Sequence, residues 1–380
     1  MKIVYSILGT YNSGGMERVL ANKANYLTSK GHELIIITTD QQGRPSNFAL
    51  DPAIQQIDLG INYTDDLNLD LLQKVQSYRR KQQKHRECLE RLLSDLQVDI
   101  VVSMFDHDAS FLYKIDDGSK KVLEIHFSRF KRVQYGTRGI RGLVNRLRMA
   151  QDLRLAKKYD RFVVLTEEDM TYWKGGKNIA VIPNAHTFYP DQPATLRAKR
   201  AVAVGRFDYQ KGFDEMIRAW AIVAKKFPDW ILEIYGHGPL KAALQAQIDE
   251  AELSEQIFLR APVKDIMPVY LNSSVLLMTS RYEGLPMALL EAQACGLPMV
   301  SMACKCGPRD IIKQNKNGYL VEEGNLSEFA QKVGILLKND RRRRAMGRNA
   351  REMSDKFGEE YVMQRWLHLF HSLINPELES

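Results

Sequence analysis

The chain has 380 residues, too many for one ordinary core, and its length predicts two domains. Its net charge is +8, and no apolar run reaches the roughly 20 residues needed to cross a bilayer. The first residues read as one short strand rather than a signal peptide, so we expect a cytoplasmic protein. The four cysteines have neither zinc nor disulfide spacing and are expected to be free thiols.

Short apolar runs alternate with amphipathic helical segments along the chain, which is typical of parallel sheets. The first half has strand-like runs at 3–8, 33–38, 100–103, 122–125, 162–165 and 180–182. After a polar stretch at 189–199, further runs follow at 201–204, 231–235, 257–259, 275–278, 298–301 and 318–321. The second series of strand-like runs, after the polar stretch, predicts an N-terminal domain at 1–190 and a C-terminal domain at 191–359. Residues 357–374 are predicted to form a final apolar helix.

Paired glycines stand where the first strand gives way to the first helix. Gly14 and Gly15 would allow backbone N–H groups to approach a phosphate or a sugar closely, although a tight turn would use the same residues. Glu17 either begins the helix or contacts substrate, and the sequence favours neither. All three residues are candidates for substrate binding.

Two histidines follow strands of the first domain. His126 comes directly after the run 122–125, at the carboxyl edge where open α/β sheets bind ligands. His107 lies between Asp106 and Asp108, an Asp-x-Asp pattern of the kind that can bind a divalent ion. Such a tripeptide is common by chance, so we interpret the two aspartates as polar loop residues and predict no metal and no cofactor.

Basic residues are concentrated in the first domain. Residues 1–190 hold 28 Lys and Arg against 22 Asp and Glu, whereas the remainder holds 26 against 24. Residues 129–158 contain ten basic residues and one acid, with apolar residues at helical spacing. Such a helix is typical of an enzyme facing anionic lipid, although a core-packed helix with a solvated basic face has the same composition. No nucleic-acid motif accompanies the charge. The four arginines 341–344 are interpreted as a solvated helix face.

In the second domain, a strand is followed by the loop Gly205-Arg206 to Lys211-Gly212. Gly205 permits a sharp turn, and Arg206 and Lys211 project two cations from one loop. A diphosphate leaving group needs such charge compensation, and two fixed cations supply it without a metal. Gly236 and His237 follow the next strand. Gly236 is expected to make room for a nucleotide, while His237 is either a nucleotide contact or simply exposed.

The last motif of the second domain contains two carboxylates. Glu283 lies on a loop after a buried strand, and Glu291 lies eight positions later, inside the helix that opens beside Pro286. The first turn of that helix would aim unpaired N–H groups at an anion, with Gly284 and Leu285 at its base. Because carboxylates accept hydrogen bonds from neighbouring hydroxyls, this element predicts a site for a nucleotide sugar.

Together these motifs resemble the retaining glycosyltransferases of family 4, which have the GT-B architecture. The matching segments are Gly14-Gly15-Met16-Glu17, Ile182-Pro183-Asn184, Gly205-Arg206 with Lys211-Gly212, Tyr235-Gly236-His237-Gly238-Pro239, Glu283 with Glu291, Gly307-Pro308 and Asn317-Gly318-Tyr319-Leu320-Val321. The C-terminal half carries the specific part of this resemblance. It implies an α/β fold with two Rossmann-like domains facing across a cleft, and a C-terminal helix, about 360–380, that crosses back to the N-terminal domain.

The resemblance also implies roles for individual residues. Glu291 would accept hydrogen bonds from the ribose, Glu283 would bind sugar hydroxyls, and His126 would face the donor sugar and diphosphate. Transfer would retain the anomeric configuration and would deliver a hexose or N-acetylhexosamine, with UDP favoured over GDP as the nucleotide. The acceptor is expected to be a saccharide. As in many relatives, we expect it to be linked to a lipid, although a soluble sugar stays open. A non-hydrolysing nucleotide-sugar epimerase shares the architecture and stays open as an alternative.

Overall fold

A computed structural model describes residues 1–68, 70–129, 139–174 and 176–375. Among these residues, thirteen strands form two parallel sheets of seven and six strands, in the orders β3-β2-β1-β4-β5-β6-β7 and β10-β9-β8-β11-β12-β13. The first sheet consists of β1 (Lys2–Ile7), β2 (Glu33–Thr38), β3 (Gln55–Asp58), β4 (Ile100–Ser103), β5 (Lys120–Glu124), β6 (Arg161–Val164) and β7 (Ile179–Val181). The second consists of β8 (Arg200–Val204), β9 (Ile231–Tyr235), β10 (Ile257–Arg260), β11 (Val275–Met278), β12 (Met299–Met302) and β13 (Gly318–Val321).

Helices connect the strands and cover both faces of the sheets. Those of the first half are α1 (Gly15–Ser29), α2 (Leu71–Leu96), α3 (Gly139–Ala156) and α4 (Glu167–Tyr172). Those of the second half are α5 (Phe213–Ala224), α6 (Lys241–Glu250), α7 (Met267–Leu271), α8 (Met287–Ala294), α9 (Pro308–Ile311), α10 (Leu326–Lys338), α11 (Asp340–Met353) and α12 (Glu359–Ile374). Within the described residues, no helix has the length and apolar character needed to span a membrane.

The central strands are buried on both faces, which is why they appear in the sequence as continuous apolar runs. Every residue of β4 and of β11 is buried. The strand β3 was missed because its sequence, Gln-Gln-Ile-Asp, carries no apolar run, and it lies exposed at the edge of its sheet. The predicted domain boundary at 190/191 falls between β7 and β8, the last strand of one sheet and the first of the other.

The last helix returns to the first domain, as the family resemblance implies. One face of α12 enters the core of the N-terminal sheet, where it packs with Ile3, Leu20 and Leu27. The buried residues of that face are Val362, Met363, Trp366, Leu369, Phe370 and Leu373. The predicted helix runs on to residue 380, and its last five residues lie outside the described part of the chain.

The interpretation of the four arginines as a solvated face was wrong for one of them. Arg343 is buried, and its guanidinium donates to the carbonyl oxygens of Leu196 and Leu336 and to Asp340. The planar guanidinium group also lies over the side chain of Trp230, with its central carbon 5.3 Å from the ring centroid. Arg343 therefore fastens α11 to the segment that enters the second domain, a role that five fixed donors make possible.

Candidate active site between the two domains

Each sheet reverses its strand order once, and ligands of open α/β sheets bind at the carboxyl ends of the strands beside that reversal. In the first sheet the reversal lies between β1 and β4, and in the second between β8 and β11. The segment after β1 carries Gly14 to Glu17, whereas the segments after β8 and β11 carry Gly205 to Lys211 and Glu283. The topology thus brings most of the predicted site residues to two facing sheet edges.

The two edges meet at Gly284. A Cβ atom on this residue would lie 2.8 Å from the carbonyl oxygen of His126 and 3.2 Å from Cα of Phe127. No larger side chain fits without a shift of backbone, so glycine allows the loop of the second domain to contact the end of β5 directly. Gly15 faces the same gap, with its nearest neighbour, Cγ of Met287 on α8, 3.9 Å from the position of a Cβ.

Lys211 and Glu283 form an ion pair at this edge. Lys211 Nζ donates to Glu283 Oε1 at 2.7 Å, and Gln210 Nε2 donates to the other carboxylate oxygen at 3.3 Å. The lysine stem crosses Gly205, where a Cβ would lie 2.9 Å from its Cδ. Gly236, at the end of the adjacent strand β9, is packed against Gly205 so closely that it also excludes a side chain. The lysine stem therefore lies against Gly205, and Gly236 allows the ends of β8 and β9 to pack closely.

Local backbone contacts hold this pair in place. Asp208 caps the single turn Tyr209–Lys211 through the N–H of Lys211 at 3.3 Å. Glu283 is fixed by two bonds to its neighbours on the segment after β12: its N–H donates to the carbonyl of Lys305, and its carbonyl accepts from the N–H of Cys306. The carboxylate is buried while the ammonium group is partly exposed. Sequence reasoning placed both residues at the site, and the structure brings them into direct contact.

Arg206 stands apart from this pair. Its Nη2 lies 2.8 Å from Asp208 Oδ2, and its side chain is 68% exposed. Both predicted cations of the loop are therefore paired with carboxylates of the second domain. Because an exposed arginine loses little by changing partners, Arg206 is free to turn toward an anion bound above the loop.

Glu291 is buried and hydrogen-bonded through both oxygens. Thr187 donates to Oε1 at 2.8 Å, and Tyr270 donates to Oε2 at 2.9 Å. Burial raises the pKa of this carboxyl, and the two hydrogen bonds and the charge of Arg18 offset part of that rise. Thr187, Tyr270 and Arg18 were missed from the sequence, since no local pattern connects them with α8. Each carboxylate oxygen keeps a second lone pair for a further donor.

Glu17 lies at the helix start rather than at the surface of the gap. Gly14 is the N-cap of α1, and a Cβ there would lie 2.2 Å from Glu17 Oε2, so the carboxylate folds back over the turn. The side chain is buried, and burial raises its pKa against the opposing effects of its own backbone N–H, of Asn12 and of the charge of His126. Glu17 thus lies in the first turn of α1 and also interacts with His126 electrostatically.

His126 sits inside a buried charge cluster. Its Nε2 lies 2.9 Å from Glu124 Oε1, and that same oxygen accepts from Lys23 Nζ at 2.5 Å. The imidazole nitrogens have no well-aligned hydrogen bond among the described residues, so the 2.9 Å separation from the carboxylate is a close contact without hydrogen-bond geometry. Sequence reasoning identified His126 but not Glu124 or Lys23.

Two candidates make no side-chain contribution at the meeting point. His237 is exposed, and its backbone carbonyl accepts from the N–H of Phe207 at 2.7 Å. Leu285 is buried in the core of the second domain, packed with neighbours such as Leu289 and Leu297. Leu285 can therefore offer a ligand only its backbone groups.

The two aspartates around His107 are used within the first domain. Asp106 accepts from the N–H of Leu8 at 2.9 Å and so connects β1 to β4. Asp108 is buried against Ser103, and burial raises its pKa to about 7. Among the described residues, no three His, Cys, Asp or Glu side chains gather in a way that could hold a metal ion. Metal-independent chemistry stays a prediction.

Part of the predicted basic segment lies outside the described residues, namely 130–138, and nothing is described of the Arg141 side chain. The rest forms α3. Leu143 and Leu147 on this helix are 61% and 57% exposed, and Arg146 and Arg148 beside them are also exposed. Leu143 and Leu147 are therefore not packed into the domain core, whereas the alternative of a core-packed helix with a solvated basic face requires that they are.

Comparison with known proteins decides the family. Residues 13–187 match the family model described as Glycosyltransferase Family 4, and residues 189–353 match the one described as Glycosyl transferases group 1. A Haemophilus influenzae protein named an uncharacterized glycosyltransferase is 30% identical over 372 residues, covering 96% of this chain and 98% of that protein. The chain is a group 1 glycosyltransferase. These findings confirm that the chain is a glycosyltransferase, as the resemblance implies, and they give the epimerase alternative no support.

Further relatives of this glycosyltransferase extend the comparison. The amylovoran biosynthesis glycosyltransferase AmsD of Erwinia amylovora is 34% identical over 217 residues, which is 54% of this chain and 61% of that protein. A crystal structure of an S. aureus TarM mutant in complex with Fondaparinux, alpha-GlcNAc-glycerol and UDP superimposes with a TM-score of 0.78 at 18% identity. The match covers 98% of this chain and 100% of that chain, and it confirms the predicted two-domain fold.

Proposed function

We propose that this glycosyltransferase moves a hexose or N-acetylhexosamine from a UDP-sugar to a saccharide acceptor, with retention of configuration, in the synthesis of a surface polysaccharide. The observation that carries this proposal is the Lys211–Glu283 pair, 2.7 Å apart, at the point where the two domains meet. The similar Erwinia protein is named for polysaccharide synthesis, and the similar TarM structure contains UDP.

The donor would bind with its nucleotide on the second domain. The ribose hydroxyls donate to the free lone pairs of Glu291, whose position Thr187 and Tyr270 fix. The diphosphate would lie beside the Lys211 stem that crosses Gly205, at the carboxyl ends of β8 and β9. Arg206 and Lys211 then contact the phosphates, together with the N–H groups at the start of α8.

Transfer would follow from a change of partners by Lys211. In the structure its ammonium group neutralises Glu283. As charge develops on the leaving diphosphate, the lysine stabilises it, and Glu283 is left to accept hydrogen bonds from the sugar hydroxyls. The leaving phosphate oxygen takes the proton of the acceptor hydroxyl on the same face of the sugar. Closure of the domains around Gly284 would limit hydrolysis.

The acceptor is proposed to be lipid-linked, because one face of the first domain suits an anionic membrane. Tyr78 of α2 lies within electrostatic reach of Arg148 of α3. Together the two helices expose a set of large apolar residues, which we term the amphipathic patch: Leu72, Val75, Tyr78, Leu143, Val144 and Leu147. Exposed apolar side chains next to arginines are typical of a surface that inserts shallowly among lipid headgroups.

A thermal-shift screen against UDP, GDP, ADP, CMP and their sugar conjugates tests the donor class. Because a ligand that binds only the folded state raises the melting temperature by mass action, UDP and one UDP-sugar are expected to stabilise the enzyme selectively. A preference for GDP would overturn the proposed donor. Incubation of the stabilising UDP-sugar without acceptor is then expected to leave it unchanged, whereas conversion to a second nucleotide sugar would indicate an epimerase.

Vesicle binding tests the amphipathic patch. The double variant Arg146→Gln, Arg148→Gln is expected to bind vesicles of anionic lipid about thirtyfold more weakly, since each basic residue near such a surface contributes about 1 kcal/mol. The matched control, Lys225→Gln with Lys226→Gln, removes two exposed charges from the second domain and should bind normally. Equal binding by both double variants in a sedimentation assay would contradict a membrane role for α3.

A further inference from the structure

Lys23 and Glu124 form an ion pair deep inside the first domain. Their side chains are 4% and 1% exposed, and Lys23 Nζ lies 2.5 Å from Glu124 Oε1. The ammonium group is also 3.7 Å from the ring centroid of Trp366, on the helix α12 that crosses back from the second domain. Tyr5 of β1 lies on another side of it, at 5.6 Å.

Stability alone does not account for such a pair. Removing two charges from water costs several kcal/mol per ion, and replacement of a buried pair by apolar residues of similar volume is often neutral or stabilising. Lys23 stands between Leu20 and Leu27 on the apolar face of α1, where an apolar side chain would fit the helix pattern. The two charges are therefore expected to serve a purpose other than stability, through the side chain that Glu124 contacts in addition to Lys23.

Glu124 connects this pair to His126. Its Oε1 lies 2.9 Å from His126 Nε2, and its other oxygen has no hydrogen-bond partner among the described residues. Although burial by itself raises the pKa of Glu124, the charges of Lys23 and His126 and the hydrogen bond from Lys23 hold it at about 2. Glu124 therefore stays ionised, and one buried carboxylate is shared by two nitrogen bases.

Other charges surround His126 more distantly. Glu17 of α1 interacts with it electrostatically, and Glu283 lies on the loop whose Gly284 packs against its carbonyl oxygen. When His126 carries a proton, the cluster of Lys23, Glu124 and His126 has a net charge of +1. That charge lies at the sheet edge where the diphosphate is proposed to leave.

We propose that Glu124 and Lys23 are positioning residues for sugar transfer, which act by setting the charge and the orientation of His126. This inference rests on the proposed function, in which His126 faces the donor. The carboxylate holds the ring beside it, and the lysine keeps the carboxylate in place. Trp366 fixes the lysine, so α12 contributes to the site from behind the sheet.

The test compares the pH dependence of kcat/KM in two variants that remove opposite charges. Activity that needs protonated His126 falls as pH rises through a midpoint. Glu124→Gln removes the neighbouring anion and should move that midpoint down, whereas Lys23→Met removes the cation and should move it up. We expect shifts of about one pH unit in each direction, the usual effect of one nearby charge. Loss of packing alone would lower activity in both variants without opposite shifts.

A third variant separates this inference from the role of His126 itself. His126→Gln should remove the descending limb of the profile while the protein remains folded, as checked by its melting curve and its stabilisation by UDP. If the limb persists in this variant, the proposed role of His126 is wrong. If His126→Gln removes the limb but the other two variants leave its midpoint unmoved or shift it in one direction, Glu124 and Lys23 are not positioning residues.

Discussion

Replacement of Lys211 by alanine is expected to lower kcat by about 10²–10³-fold, the usual effect of deleting one preorganised group that stabilises transition-state charge. Lys211 is placed to do this because its stem lies across Gly205 and its ammonium group reaches the meeting point of the domains. Turnover at saturating donor and acceptor is the measurement, and a melting curve checks that the variant is folded.

The Lys211→Ala variant also leaves Glu283 buried without its cation, so a second comparison separates two causes of lost activity. If Lys211 served only to neutralise Glu283, the double variant Lys211→Met, Glu283→Gln would be no slower than Glu283→Gln alone. We expect it to be clearly slower, because the diphosphate loses its own cation. Lys241→Ala is the matched control, since it removes an exposed lysine on α6 of the same domain. Near-normal turnover by Lys211→Ala would refute the diphosphate role.

The sequence predicted the sheets well because their central strands are buried on both faces and need continuous apolar residues. The run Val275–Met278 illustrates this, since all four of its residues are buried. The strand Gln55–Asp58 was not predictable in this way, because an exposed edge strand needs no apolar run. The site residues at strand ends followed from topology, which brings the carboxyl edges of parallel strands together.

The contacts between distant segments were not predictable. Thr187 and Tyr270 reach Glu291 from 104 and 21 positions away, and no spacing rule connects them. Arg343 looked like its exposed neighbours, yet the fold surrounds it with carbonyl oxygens. The burial of Lys23 was predictable in part, because a charged residue on the apolar face of α1 needs a buried partner. Glu124, a charged residue at the end of the buried strand β5, was the matching indication.

Substitution by glutamine is expected to have different effects at Glu283, on the loop before α8, and at Glu291, within α8. Glu283→Gln should lower kcat by about 10²-fold or more with little change in UDP affinity, because a neutral amide neither balances Lys211 nor accepts as many bonds from sugar hydroxyls. Glu291→Gln should instead weaken UDP binding by roughly tenfold to a hundredfold, since hydrogen bonds to a charged group contribute about 1.5–3 kcal/mol.

Calorimetric titration with UDP and turnover assays measure both quantities on the same preparations. Tyr270→Phe serves as the control for Glu291, because it removes one donor to the carboxylate without touching the charge and should weaken UDP binding less than Glu291→Gln does. If Glu283→Gln lost UDP affinity while Glu291→Gln lost only turnover, the roles of the two carboxylates would be exchanged. The ribose would then lie at the loop rather than over α8, and the sugar would lie against the buried pocket of Thr187 and Tyr270.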